Sequence, residues 1–225
     1  MRWTLTTLGA ANFRRVRHDG RRMAVALAAV AMFVAAAPAL ADPPTRVTIV
    51  AVFEPVTYGE NAYVNGQLLG AGQAGQAVAL EQSAPPFTDW TPVAQTTTDA
   101  AGYYSFRLQP SQTLQYRTNA QGVYSERTVQ VSVAPRIRLK ASAAGKSSIR
   151  FSGTFAPALE GQSVAIQRRN EGGSWTTIAN AGLHDGKTFA GRVRAHRATM
   201  LRAVFAPDGA YIAASSNAVR AAPRG

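Results

Sequence analysis

The residues of this chain that are most evidently able to bind a ligand are the cations of its C-terminal part. Residues 135–225 contain 14 Lys and Arg residues against 4 Asp and Glu, whereas residues 45–134 contain 4 against 6. Clustered cations attract phosphate- or carboxylate-bearing polymers through forces that salt weakens. Our candidate contacts for a polyanion are Arg136, Arg138, Lys140, Arg168, Arg169, Arg192 and Arg194.

Several of these cations alternate with apolar residues, so strand geometry would decide where they point. Successive side chains of a strand lie on opposite faces. The alternation predicts one face with Arg136, Arg138 and Lys140, and another face with Arg192, Arg194 and His196. The simpler interpretation, which is the commoner one for charge runs, is a solvated sheet face. The contrast between the two halves keeps a contact role open as the alternative, because a general bias toward basic residues would affect both halves alike.

Catalytic and metal-binding arrangements are not evident. Beyond residue 41 there are two histidines, His184 and His196, without the close spacing of metal ligands. His184-Asp185 could orient a base in a small hydrolase, but Gly186 follows, which indicates a hairpin tip. Asp99 has too few neighbouring carboxylates for calcium and is expected to cap its own turn. We therefore predict that the protein is not an enzyme and has no catalytic residues, no metal and no cofactor.

The candidate contact residues are expected to lie on β-strands, because apolar side chains recur at every second position along the chain. The pattern is clear at Val129, Val131 and Val133, and again at Val164 and Ile166. A period of two predicts strands with one buried face and one solvated face. Turn signals separate the runs about every 8–12 residues, which is the spacing of a sandwich. The chain has no cysteine, so packing alone must hold the sheets together.

One segment of the chain occurs in two similar copies. GQAVALEQSAPPFTDW begins at Gly75, and GQSVAIQRRNEGGSW begins at Gly161. Other landmarks recur at offsets of 85 to 87 residues, such as Gly66 with Gly153. A colinear series of this kind indicates a duplicated module of about 90 residues, which is the size of a small domain.

The duplication gives two predicted domains, at residues 45–134 and 135–221, joined near Ala134-Pro135. Each has room for about seven strands, enough to close a two-layer core. Trp90 and Trp175 end the repeated segment. We expect both rings to fill the space between the sheets, as strand tryptophans in sandwiches usually do. The alternative is an exposed aromatic platform for sugar rings.

Two motifs carry a resemblance to a known family. TTTDAAGYYSF, residues 96–106, resembles the T-D-x-x-G-x-F hairpin of carboxypeptidase-regulatory-like and related bacterial Ig-like modules. YRTNAQGVYSERTVQVSV, residues 116–133, is similar to the ending of tandem Ig-like repeats in secreted actinobacterial proteins. The second copy has HDGK, residues 184–187, where the first has its T-D-x-x-G turn. The resemblance implies Ig-like modules that act as spacers, adhesion units or attachments to enzymes, without catalytic residues of their own.

The first 41 residues differ from the rest of the chain. Five arginines between positions 14 and 22 precede a stretch without charge from Met23 to Ala41, which ends in Ala-Leu-Ala. A basic region, an apolar region and an A-x-A site predict a secretory signal peptide at residues 1–41. The alternative is a retained membrane anchor at residues 23–40, which is at the lower limit of spanning length.

The predicted fold class is all-β, with two tandem Ig-like antiparallel β-sandwiches after an N-terminal signal segment. The predicted function is that of a secreted or envelope-associated, non-catalytic binding or structural module. Its basic second domain would contact an anionic wall polymer or a membrane surface. The alternative is an accessory or carrier protein that docks a partner protein by strand-edge pairing. Nucleic acid is a less expected partner, because no recognition motif accompanies the charge.

Overall fold

The computed structural model describes residues 45–70 and 72–224. All regular secondary structure in these residues is β-strand, and none of them belongs to a helix that could cross a membrane. The prediction of an all-β fold is therefore confirmed. The predicted signal segment at residues 1–41, together with the alternative membrane anchor, lies outside the described residues.

The first sandwich contains β1 (Arg46–Val47), β2 (Val50–Val52), β3 (Val56–Thr57), β4 (Ala62–Leu69), β5 (Ala77–Ser83), β6 (Thr91–Thr97), β7 (Tyr103–Leu108), β8 (Leu114–Ala120), β9 (Val123–Tyr124), β10 (Val129–Val131) and β11 (Val133–Ala134). In one sheet, β4 pairs with β7 on one side and with β1 and then β2 on the other. The facing sheet has the order β6-β5-β8, and β9 and β10 pair with successive parts of β8. These pairings are all antiparallel.

The second sandwich contains β12 (Arg136–Gly145), β13 (Ser148–Ala156), β14 (Ser163–Arg169), β15 (Trp175–Gly182), β16 (Thr188–Arg194), β17 (Thr199–Phe205), β18 (Ala214–Ser215) and β19 (Val219–Ala221). One sheet has the order β12-β13-β16. The other has the order β15-β14-β17, with β18 and β19 along the outer side of β17. The strands thus repeat the arrangement of the first sandwich. The domain bounds themselves stay a prediction.

Alternating side chains fill the core between the two sheets of each sandwich. Val78 and Leu80 of β5 are fully buried, as are Val164 and Ile166 of β14. In the second sandwich Phe155 of β13 packs against Phe205 of β17, with ring centres 5.2 Å apart. Because the period of two places every second residue on the inner face, the intervening residues are left for solvent and for function.

The duplicated glycines leave room for an aromatic ring. A Cβ atom added to Gly66 would overlap the Tyr104 hydroxyl and the carbonyl oxygen of Thr48. A Cβ atom added to Gly153 would overlap the ring of Phe189. Tyr104 and Phe189 occupy the same register position in their sheets, directly opposite these glycines. The two glycines therefore recur because the same ring lies across the same strand in both sandwiches.

The link between the sandwiches is a short paired strand. β11 pairs in parallel with β3. The Val56 N–H donates to the Ser132 carbonyl at 3.0 Å, and the Tyr58 N–H donates to the Ala134 carbonyl at 2.8 Å. The joint predicted near Ala134-Pro135 is thus held by backbone hydrogen bonds to the first sandwich.

Contacts from the second sandwich reach the same joint. The Tyr211 hydroxyl donates to the Ser111 carbonyl at 2.8 Å, and the Thr113 N–H donates to the Ala210 carbonyl at 2.8 Å. Burial raises the pKa of Tyr211, so its hydroxyl keeps its proton and remains a donor. These bonds tie the second sandwich to the loop between β7 and β8, and the Ile212 N–H donates to the Val133 carbonyl of the joint itself at 3.0 Å.

Burial also makes the first sandwich sensitive to alkali. Tyr116 is fully buried, and burial raises the pKa of its hydroxyl to about 12. An unfolded tyrosine ionises near pH 10, so the unfolded chain loses this proton first as the pH rises. The stability that the protonated Tyr116 hydroxyl contributes is present below pH 10 and is lost between about pH 10 and 12.

Raising the pH from 9 to 12 should lower the stability of the Tyr116→Phe variant by about 2 kcal/mol less than it lowers the stability of the parent. The phenyl ring keeps the packing and removes the titrating group. Urea denaturation at a series of pH values measures the difference. Tyr103→Phe, at a side chain that is 56% exposed, is the control and should leave the alkaline profile unchanged. Equal alkaline losses in Tyr116→Phe and the parent would contradict the assignment.

Candidate polyanion-binding surface

The outward side of the three-stranded sheet β12-β13-β16 is a surface of cations. We call it the basic face and define it by Arg136, Arg138, Lys140, Arg150, Arg192 and Arg194. The inward positions between them are apolar, among them Ile137, Leu139 and Phe151. All of its cations are exposed except Arg136, which is half-buried.

Strand register brings these cations together. Arg150 of β13 lies directly opposite Arg192 of β16, and Ser148 lies opposite Arg194. On the other side of β13, Ser152 lies opposite Lys140 of β12. Two like charges directly opposite each other cost a few tenths of a kcal/mol or more. The sandwich thus keeps a local arrangement that its stability does not require.

The charge of the basic face is poorly neutralised. Among the described residues, its one ion pair joins Arg136 to Glu60 of the first sandwich at 3.8 Å, and both side chains are substantially exposed. The outward positions of this sheet that are not cationic carry small side chains, such as Ser142, Ser152 and Thr154. The guanidinium and ammonium groups are therefore available to an external anion.

The basic face corrects one prediction and extends another. Arg138 and Arg192 were expected on different faces, which is wrong, because β12 and β16 pair with opposite edges of the same strand β13. Arg150 was not among the candidate contacts, although it lies at the centre of the face. Its alternation with Ile149 and Phe151 is the signal that could have identified it.

Arg168 and Arg169 do not lie on the basic face. They end β14 in the other sheet of the second sandwich. There they line an open cleft of about 1070 Å³ at the end of the sandwich. We call it the end cleft, and the charged side chains of its lining that matter here are Arg168, Arg169, Glu171, Arg194, Arg197 and Arg220. Arg194 belongs to both surfaces, so the basic face and the end cleft are continuous.

The matching face of the first sandwich has a different character. By strand register, Thr48 takes the place of Arg138, Val50 that of Lys140, and Tyr63 that of Arg150. Tyr103 on the same sheet is 56% exposed, and Phe53 beside Tyr63 is 71% exposed. Arg46 and Arg107 keep the places of Arg136 and Arg192, so the two sandwiches share one fold but differ in charge at the other positions of this face.

The tryptophans are not in the core. Trp90 and Trp175 are half-buried on the outer side of the larger sheets, each beneath an arginine from two strands away, Arg117 of β8 and Arg202 of β17. The guanidinium carbon of Arg117 is 4.4 Å from the ring centres of both Trp90 and Tyr124. That of Arg202 is 4.3 Å from the ring centre of Trp175. The prediction of inter-sheet anchors was therefore wrong, and the covered rings are not bare platforms for sugars.

The polar residues considered for catalysis and metal binding lie in turns. The Asp99 carboxylate accepts the N–H groups of Ala101 and Tyr103, each at 2.9 Å, which confirms that it caps its own turn. The His184 N–H donates to the Thr188 carbonyl at 2.7 Å, so His184-Asp185 does lie at a hairpin tip. Within residues 45–70 and 72–224, no group of three or more His, Cys, Asp and Glu is placed to hold a metal ion.

The chain matches no family model and no curated protein sequence. A solved structure that it resembles is the crystal structure of a tetra-tandem repeat in the extending region of a large adhesion protein. The match has 14% sequence identity and a TM-score of 0.35, and it covers 80% of this chain and 49% of the other. The chain thus spans about half the length of that structure. This likeness is too distant to carry a conclusion, so the function is inferred from the residues of the chain itself.

Proposed function

We propose that this protein is a secreted or envelope-associated binding module without catalytic activity, and that its basic face contacts an anionic polymer. The observation that carries the proposal is a single sheet face on which Arg138, Lys140, Arg150, Arg192 and Arg194 have no carboxylate partner among the described residues. On the matching face of the first sandwich Arg107 takes the place of Arg192, but uncharged residues take the places of Arg138, Lys140, Arg150 and Arg194, so the fold itself does not require these four cations.

The geometry of the basic face fits an extended polymer better than a compact ligand. Neighbouring strands lie about 4.8 Å apart, and alternate residues of one strand lie about 6.7 Å apart. The cations therefore extend across three strands and do not surround a pocket. An extended array gives affinity from many weak contacts and little discrimination between polymers. A wall polymer or an acidic lipid surface would meet these requirements.

The alternative partner is a protein that pairs with an exposed strand edge. β6 and β15 are the outer strands of the larger sheets. Pro92 of β6 has no N–H to offer, and the ladders of both strands contain a register shift, between Leu80 and Glu81 and between Ile166 and Gln167. Proline and bulges on an edge hinder pairing with another strand. Pairing of a partner strand at β6 or β15 is therefore hindered.

The proposal is tested with two triple variants of equal charge. Arg138→Thr, Lys140→Thr and Arg192→Thr together remove three cations from the basic face. Arg107→Thr, Lys187→Thr and Arg224→Thr remove three exposed cations elsewhere. Threonine suits exposed strand positions. At low salt we expect the face variant to bind inorganic polyphosphate or polyglutamate about 100-fold more weakly than the parent.

The salt dependence gives a second measurement. Loss of three contacts should reduce the slope of log affinity against log salt concentration by about 2 to 3 for the face variant alone. Equal weakening by the two variants would mean that net charge, rather than the basic face, governs binding. An affinity that hardly responds to salt would favour the strand-edge partner instead.

A further inference from the structure

The end cleft differs from the basic face in shape and in chemistry. It lies where the β14–β15 loop, the β16–β17 loop and β19 converge, so side chains from both sheets line a concave space of about 1070 Å³. Its lining contains no lysine but five arginines, which are Arg168, Arg169, Arg194, Arg197 and Arg220. A planar guanidinium offers paired N–H donors to the oxygens of a phosphate or carboxylate, which an ammonium group cannot match.

Arg168 breaks the burial pattern of its strand. It continues the inward row of Val164 and Ile166, and it is half-buried at the open end of the core. A cation at an inward position is costly unless an anion accompanies it. Among the described residues no carboxylate lies within 4.0 Å of Arg168, Arg194 or Arg220, so the cleft contains unneutralised charge.

The carboxylate of Glu171 is the single acidic group of the lining. It pairs with Arg197 at 2.5 Å, and both side chains are more than three-quarters exposed. This pair covers one guanidinium of the cleft and places one negative charge beside the others. An incoming anion would have to compete with Glu171 for Arg197.

The duplication shows that the fold does not need these arginines. By strand register and by equal loop length, Gln82 takes the place of Arg168, Gln109 that of Arg194, and Gln130 that of Arg220. Gln112 takes the place of Arg197 by the same offset. The sister sandwich therefore has neutral amides at four of the five arginine positions, and Ser83 takes the place of Arg169, so the arginines are a property of the second sandwich alone.

We propose that the end cleft binds a compact, multiply charged phosphate group, such as the terminus of a polyphosphate or a phosphomonoester headgroup. A lining that contains five arginines and one carboxylate favours a group that carries several charges in a small volume over the single charge of one carboxylate. The inference stands apart from the proposed function, since it concerns a concave site and a short ligand. Through Arg194, an anion held in the cleft could be the end of a polymer that continues along the basic face.

The test measures the binding of tripolyphosphate to the full chain by titration calorimetry at a fixed salt concentration. Arg168→Gln with Arg220→Gln installs the residues of the sister sandwich and should weaken binding at least tenfold. The matched control, Arg138→Thr with Arg150→Thr, removes the same charge from the basic face and should change this binding less than threefold. Glu171→Gln should strengthen binding several-fold, because it frees Arg197.

Several outcomes would overturn the inference. These are unchanged binding in the Arg168→Gln, Arg220→Gln variant, equal losses in this variant and its control, or tricarballylate binding as tightly as tripolyphosphate.

Vesicles of phosphatidic acid in phosphatidylcholine distinguish the source of the phosphate. Competition between vesicles and tripolyphosphate supports a cleft that takes a lipid headgroup as well as a soluble ligand. A loss of long-polymer binding in the basic-face variant, with tripolyphosphate binding intact, separates the end cleft from the proposed function.

Discussion

The Gly153→Ala variant is expected to lose about 3 kcal/mol of stability. The added methyl group would overlap the ring of Phe189 and the carbonyl oxygen of Arg138, both nearer than 3.0 Å. Phe189 is fully buried, and the carbonyl belongs to the backbone of β12, so neither can move aside cheaply. Urea denaturation followed by circular dichroism measures the loss.

The control for this prediction is Gly172→Ala, in the loop between β14 and β15. A Cβ atom at Gly172 meets nothing within 4 Å, so the expected change is within about 0.5 kcal/mol. Gly66→Ala should reproduce the large loss in the first sandwich, because the Tyr104 hydroxyl and the Thr48 carbonyl fill the same space. A loss below 1 kcal/mol in Gly153→Ala would show that the Phe189 ring does not lie against Gly153.

The Arg117→Ala variant is expected to lose about 3 kcal/mol of stability. The Arg117 guanidinium lies between the rings of Trp90 and Tyr124 and pairs with Glu81 at 2.7 Å. The Glu81 side chain is only 15% exposed, so loss of Arg117 leaves a largely buried carboxylate without its cation. That penalty adds to the lost stacking and to the lost cover that the arginine stem gives the rings.

The second sandwich provides the matched control. Arg202 stacks on Trp175 alone and bonds to the neutral Gln167 at 2.9 Å. We therefore expect Arg202→Ala to cost about 1 kcal/mol. Adding Glu81→Gln to Arg117→Ala should recover part of the loss, because no unpaired carboxylate remains. Denaturation of the single and double variants gives these values, and equal losses for Arg117→Ala and Arg202→Ala would refute the role given to Glu81.

Features that depend on nearby residues could be predicted from the sequence. The alternation of Val164 and Ile166 with polar neighbours identified a half-buried strand, and the Asp99 turn followed from the side-chain chemistry of aspartate. The spacing of Gly66 and Gly153 indicated the duplication, although not the ring that each glycine accommodates. In each case a period or a turn residue determines the structure locally.

Features that depend on pairing between distant strands could not be predicted. The basic face combines Arg138 with Arg192 because β13 lies between their strands, and no local pattern reports that order. The tryptophans were misplaced for a related reason. A register shift lies beside each of them in the ladder, and a shift of one residue moves every later side chain to the opposite face. Arg117 and Arg202, each next to a buried residue at corresponding positions, were the signal that the outer side carries a stack.

The strand that joins the sandwiches has a mechanical consequence. β3 and β11 run parallel, so a pull on the chain before β3 and after β11 would draw the two strands past each other along their length. The two hydrogen bonds from Val56 and Tyr58 lie across that direction and would bear the load together instead of opening one after the other. We therefore expect the joint to resist tension along the chain more strongly than its few bonds suggest. A molecule attached to a surface through its second sandwich would transmit force to the first one without first unravelling the connection between them.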